Sequence, residues 1–343
     1  NGGEIKGTGT VSTINNGSTG KVEVKSGTVS SSNGTVIHNE TRGTILISGG
    51  TVSATGTTLD HRAIYNKAAG SVTVTSGTIK TTQGRGIYNK SSDAVVNIQS
   101  GTFNTGAECV YMENGTLWID TATMNAWASA IYFGPAGNLR ISGGSYTSTA
   151  YNGLHVNGGA VTITGGTFTG KENGIYMEGA SRVTAYGGTY IGTGTNSAIK
   201  AMNTSTSEFI DPTFRTSGTY LISNETGSGN GCIIRSRASN FGLSGNNVYG
   251  YVIATTNNSV GQSSELVRIY NAATTYVMFP TWTDRNGQDD IKWYNTSKNG
   301  NYNEVRIYKS NHNNETGRYN VHIYDSVTSG TARNIIGTTH IDI

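Results

Sequence analysis

The sequence predicts an all-β chain: a right-handed parallel β-helix with three strands and about 22 residues per coil, followed by an immunoglobulin-like β-sandwich. Three observations carry this. One eight-residue phrase returns along most of the chain; apolar residues fall in three columns set by that phrase; and the repetition stops near Tyr249, where aromatic and charged residues become more frequent. The expected division is 1–246 for the β-helix and 247–343 for the sandwich.

The phrase is clearest at 161–168, VTITGGTF. It recurs at 22–29 (VEVKSGTV), 45–52 (ILISGGTV), 72–79 (VTVTSGTI), 96–103 (VNIQSGTF), 139–146 (LRISGGSY) and 183–190 (VTAYGGTY), with degraded copies at 117–124 and 207–214. Its hydroxyl residue stands at Thr28, Thr51, Thr78, Thr102, Thr123, Ser145, Thr167, Thr189 and Thr213, steps of 21 to 27 residues. A fixed period in the twenties means a solenoid. Leucine-rich repeats share the period but need a leucine line that is missing here.

Within each phrase apolar residues alternate, as at Val161 and Ile163, which is strand periodicity. One apolar residue always follows the hydroxyl, from Val29 to Phe214. A third column runs Ile14, Ile37, Ile64, Ile87, Val110, Ile131, Leu154, Ile175, Ile199. Three inward strands per repeat make a three-sided coil, with backbone groups paired to the coils above and below.

The chain has 48 glycines and three prolines in 343 residues, which favours tight corners over helices. Net charge is +3 without a Lys/Arg cluster, so nucleic acid is not an expected partner. No apolar run is long enough to span a membrane. The opening Asn1-Gly2-Gly3 reads as a trimmed or excised segment. Cys109 and Cys232 lie about five repeats apart, on the order of 20 Å at ~4.8 Å per coil, and are expected as unpaired thiols. Residues 54–63 (ATGTTLDHRA) lengthen one repeat and read as a protruding loop.

In the third strand, alternation turns the residue after the apolar column outward: His38, Tyr65, Tyr88, Tyr111, Tyr132, His155, Tyr176, Lys200. The next position is inward, and Asn39, Asn66 and Asn89 there predict an amide ladder. The outward line has two readings. Stacked tyrosines are good cross-strand neighbours on any parallel sheet, or they form an aromatic platform for a sugar chain, with Tyr65, Tyr88, Tyr111, Tyr132, His155 and Tyr176 as ligand-binding residues. Polar residues follow two positions on, including Glu40, Lys67, Lys90, Glu113, Asn157 and Glu178.

Catalysis on this scaffold would need clustered carboxylates. Glu113 and Glu178 share a column but are three coils apart, roughly 14 Å at ~4.8 Å per coil. Asp60-His61-Arg62 is a lone loop candidate, and zinc spacings and phosphate-binding glycine loops are missing. No catalytic residue, metal or cofactor is therefore expected. The end of the solenoid, near Cys232-Ile233-Ile234, is expected to be covered.

From Tyr249 onward, strand-like runs begin near Leu266, Tyr276, Asp290, Tyr302, Arg318 and Gly337, separated by Asn/Gly/Ser loops. Trp282 and Trp293 fall on strands, one of them expected in the sandwich core. Asp289-Asp290 reads as turn chemistry and His322 as an outward strand residue. The segments Phe279-Pro280-Thr281-Trp282, Asn286-Gly287-Gln288-Asp289-Asp290-Ile291-Lys292-Trp293-Tyr294, His312, and Glu315-Thr316-Gly317-Arg318-Tyr319-Asn320-Val321-His322-Ile323-Tyr324 closely resemble the Bsp-like repeat family. That family occurs on Gram-positive surface and secreted proteins, often beside cell-wall hydrolases. The resemblance implies a non-catalytic, envelope-associated module and an extracellular or cell-wall location.

The expected function is a non-enzymatic surface protein, adhesin-like, whose β-helix arm meets a polysaccharide, cell-wall glycan or host-surface glycan. A polysaccharide lyase or glycoside hydrolase acting on the β-helix face, or a pure spacer within a larger cell-wall hydrolase, are the alternatives.

Overall fold

A computed structural model describes residues 2–239, 241–256, 261–285 and 287–343, and every structural statement below concerns those. Asn1, and Asn286 of the motif above, lie outside them. The chain is all-β, a solenoid of about 11 turns with ~23 residues per coil, joined to a smaller C-terminal unit.

One coil serves for all. Ala160–Ile163 lies on the first face, Thr167–Gly170 on the second and Ile175–Glu178 on the third; Arg182–Tyr186 then starts the next turn. Each strand pairs in parallel with its counterparts one coil away, in strict register: Val161 with Val183, Phe168 with Tyr190, Ile175 with Ile199. The corner between the first two faces is made by the glycine before the hydroxyl residue. Gly50 has φ 70° there, and a Cβ would lie 2.7 Å from the Gly27 carbonyl oxygen of the preceding coil. In the two degraded copies Ala122 and Pro212 take that place, and neither has positive φ.

The three columns fill the interior. From Ile37 to Ile199 the third-face column is fully buried, as are Ile79, Phe103, Met124, Tyr146, Phe168 and Tyr190 on the second face. Tyr146, Phe168 and Tyr190 stack internally at 4.9 and 5.5 Å, with the Tyr190 hydroxyl donating to the Gly187 carbonyl at 3.2 Å. The amides form the ladder: Asn16 donates to Asn39 (3.0 Å), Asn39 to Asn66 (2.8 Å) and Asn66 to Asn89 (2.7 Å). The same Nδ2 groups also reach the corner carbonyls of Gly20, Gly43 and Gly70. Cys109 and Cys232 are buried free thiols, and burial pushes both to about 12.

Ile233–Ser236 is not the last coil. Val248–Tyr249 and Val252–Thr256 add one more, pairing in parallel with Ile222–Asn224 and Ile233–Ser236. The expected division at 246/247 therefore falls inside sheets that continue across it. Onto Val252–Thr256 the chain lays two antiparallel strands, Ser264–Tyr270 and then Tyr302–Tyr308. This covers the open end of the first-face sheet. A second sheet, in the order Lys292–Ser297, Tyr276–Thr283, Arg318–Ser326, Ile335–Asp342, packs against it. Their shared core contains Ile253, Val267, Ile269, Val277, Phe279, Tyr319, Val321 and Ile323.

No tryptophan sits in that core, contrary to expectation. Phe279 and Tyr319 fill it, both fully buried, while Trp293 is 50% exposed and Trp282 half-buried. The two tryptophans lie on the outer face of the second sheet, Trp282 edge-on to His322 at 4.8 Å and Trp293 beside Tyr324 at 5.8 Å.

Candidate functional site

The predicted outward line exists in register: His38, Tyr65, Tyr88, Tyr111, Tyr132, His155, Tyr176 and Lys200 are successive neighbours on the third face. Its rings are largely engaged with one another. His38–Tyr65, Tyr65–Tyr88 and Tyr111–Tyr132 stack near-parallel at 4.8, 5.0 and 4.4 Å, so these rings face along the helix axis rather than outward. The Arg62 guanidinium lies 4.7 and 4.5 Å from the Tyr65 and Tyr88 rings, and that of Arg85 lies 3.9 Å from Tyr111. Tyr88 is only 7% exposed.

The polar column two residues on ties down the hydroxyls. Tyr88 donates to Glu113, Asn157 donates to the Tyr132 oxygen at 3.0 Å, and Tyr176 donates to Glu178 at 3.1 Å. Glu178 also meets His155 Nε2 at 2.9 Å. Burial holds the His155 imidazole below its ordinary value in spite of that carboxylate, and pushes Tyr176 up to about 12. Glu113 and Glu178 are thus tied to ring neighbours, three coils apart. In the loop, Arg62 pairs with Asp60, and His61 Nδ1 accepts from the Thr58 N–H at 3.3 Å.

The free aromatic surface lies beside the line. Trp127 is 57% and Tyr151 42% exposed, edge to face at 5.6 Å, at the corner between the second and third faces. With Leu59, Arg85, Glu108, Tyr111, Tyr132, Asn152, His155, Glu172 and Tyr176 they border a depression of about 500 Å³. Tyr111, Tyr132 and Tyr176 of the line, the corner pair Trp127 and Tyr151, and Leu59 of the 54–63 loop all border it. Arg85 is neutralised by Glu108 at 2.9 Å. Flat rings beside carboxylate, amide and imidazole groups are what a sugar ring needs, with apolar faces to stack and hydroxyls to bond. Sequence reasoning missed Trp127 and Tyr151 because they sit outside all three columns. Their signal was their spacing: 24 residues, one coil.

In the C-terminal unit the motif residues converge inside. His312, fully buried, sets Nδ1 3.2 Å from Asp290 Oδ2 and Nε2 2.8 Å from the Tyr294 hydroxyl. Asp290 accepts from the Thr283 N–H at 3.1 Å; Thr283 donates to Glu315 at 2.5 Å, and Tyr319 to the Glu315 carbonyl at 2.5 Å. Asp290 is thus a buried turn anchor, whereas Asp289 is exposed and His322 points off the core as expected. Among the described residues no group of three or more His, Cys, Asp or Glu is placed to hold a metal, and no helix is long and apolar enough to cross a membrane.

Residues 255–340 match the GBS Bsp-like repeat family. No curated protein and no solved structure matches the chain. A β-solenoid joined to a Bsp-like repeat points to a surface-associated protein.

Proposed function

We propose that this chain is a non-catalytic, extracellular or wall-associated protein that binds a glycan along its solenoid. The β-helix, right-handed and running through the coil at 248–256, is the binding arm. The antiparallel unit that follows, an immunoglobulin-like sandwich, is the envelope-associated module. The observation that carries the reading is the exposed Trp127–Tyr151 pair beside a depression lined by Tyr111, Tyr132 and Tyr176. Isolated exposed aromatics are ordinary; two on consecutive coils, converging with Asn152, His155 and Glu172 on one depression, are what a sugar contact requires. The partner is a cell-wall polysaccharide or a host-surface glycan.

The test is a glycan array probed with the chain and with Trp127→Ala/Tyr151→Ala. Each lost ring contact costs about 1 kcal/mol, so the double variant should bind its best glycan about thirtyfold more weakly, with an unchanged circular dichroism spectrum. Binding that survives the double change removes this site from the reading; no binding by the parent returns the arm to a spacer. A second reading, a polysaccharide hydrolase or lyase, has in its favour that Glu108 and Glu172 border the same depression as His155. New reducing ends or unsaturated products from a bound glycan would replace the first reading with this one.

A further inference from the structure

The outward line does not end at Lys200. Continued through the register, Lys200 is followed by Ser223 and then Tyr249, so Tyr249 occupies the column of Tyr132, five coils further on. At ~4.8 Å per coil that is roughly 24 Å. Tyr249 is 50% exposed, and at the corner beside it stands Tyr220, ring centroids 5.6 Å apart and planes tilted by 51°. As with Trp127 and Tyr151, the two rings come from consecutive coils, here one from the corner and one from the line itself. Tyr220 and Tyr249 border both a depression of about 240 Å³ shared with Lys200 and a larger one of about 910 Å³ reaching Tyr251 and Asn271. The smaller adjoins the central depression across the Tyr176–Lys200 pair. Exposed aromatic pairs thus stand about five coils apart along a line of depressions that runs from Leu59 to the last coil.

The basic groups along it are paired. Arg85 is paired with Glu108 at 2.9 Å and Lys200 with Glu225 at 3.1 Å, leaving Glu172 as the surplus. Such a groove offers no attraction to a polyanion, while its amides, hydroxyls and rings suit an uncharged sugar chain.

We propose that the ligand is a neutral, extended glycan lying parallel to the helix axis, with Tyr249 and Tyr220 forming a second subsite for its far end, so that about five or six sugar units, near one per coil, bridge the two subsites. This rests on the glycan-binding reading above and adds direction, minimum length and charge class. Two subsites on one rigid frame act at high effective concentration, so affinity should rise in a step once the chain is long enough to fill both.

The test is calorimetric titration of the whole chain with cello- and chito-oligosaccharides from dimer to octamer, and with polygalacturonate oligomers of the same lengths. The expected result is a rise of tenfold or more between tetramer and hexamer for a neutral series, with the anionic series at least tenfold weaker. Tyr249→Ala and, separately, Tyr220→Ala should erase the step and leave tetramer affinity unchanged, which also certifies that the arm is folded. Trp127→Ala should weaken every length. A step that persists in both tyrosine variants, or anionic chains bound as tightly as neutral ones, overturns the proposal. Absence of binding by the parent to every oligomer, or binding indifferent to Trp127→Ala, sinks the central-site reading instead and takes this one with it.

Discussion

At the scale of single residues, burial decides what a polar side chain is for. Asn66 is fully buried, yet its amide is satisfied three ways: it accepts from Asn39 and donates to Asn89 and to the Gly70 carbonyl. Removing it strands groups on both neighbouring coils, each costing about 1–3 kcal/mol when left unpaired. Asn66→Ala is therefore expected to lose about 3 kcal/mol by chemical denaturation. Asn125→Ala is the control, because Asn125 makes its 3.0 Å amide bond to Asn104 in solvent and should cost under ~0.5 kcal/mol. Equal losses would mean the buried ladder is dispensable. The same logic explains the tyrosines. Their alternation and spacing were legible, since every coil repeats them, but a sequence does not say which way a ring turns. Only the 4.4–5.0 Å parallel stacking and the guanidiniums of Arg62 and Arg85 reveal that these rings spend their faces on neighbours.

At the scale of elements, legibility followed repetition. The strands of the solenoid could be placed because the corner glycine, the hydroxyl and the apolar column recur together. The coil at Val248–Thr256 could not: it follows an irregular stretch, lacks the hydroxyl phrase, and carries the aromatic composition of the unit it leads into. In that unit the family signature marked residues without giving their job. Asp290, Tyr294, His312, Glu315 and Tyr319 form one internal knot, so what the sequence shared with the family was in large part a folding device. The knot has a pH consequence. Burial keeps the His312 imidazole below its ordinary 6.5 despite Asp290. An unfolded chain takes up the proton at 6.5 and the folded one resists it, so this contribution is complete above pH 6.5 and is lost as pH falls from there toward the folded value. Denaturation midpoints should decline from pH 7 to pH 5.5, with a slope of up to about 1.4 kcal/mol per pH unit for one proton. His312→Gln should lower stability at pH 7 and flatten that slope; an unchanged slope would assign the effect to another histidine.

At the scale of the whole molecule, the decisive feature is that solenoid and C-terminal unit share a strand. Val252–Thr256 is the last parallel strand of the first face and the first antiparallel partner of Ser264–Tyr270. Ile253, fully buried, belongs to the core of the C-terminal unit although it precedes the family match at 255. Two further ties cross the joint. Asn230 Nδ2 donates to the Thr338 carbonyl at 2.7 Å and its Oδ1 accepts from the Thr338 N–H at 3.1 Å; buried Arg235, paired with Glu208, donates to Thr255 at 3.0 Å and to the His340 carbonyl at 2.6 Å. A fragment of residues 255–343 therefore loses most of a paired strand, those ties, and Ile253, whose burial alone is worth ~2 kcal/mol. A domain of this size holds only about 5–15 kcal/mol in total. The fragment is expected to melt far below the intact chain or without a cooperative transition, while the intact chain unfolds with this unit coupled to its last coils. Differential scanning calorimetry of both decides it. A fragment that melted like its counterpart in the intact chain would make the shared strand incidental. The coupled outcome would mean that a load taken by the solenoid passes into the C-terminal unit through a continuous sheet rather than a linker.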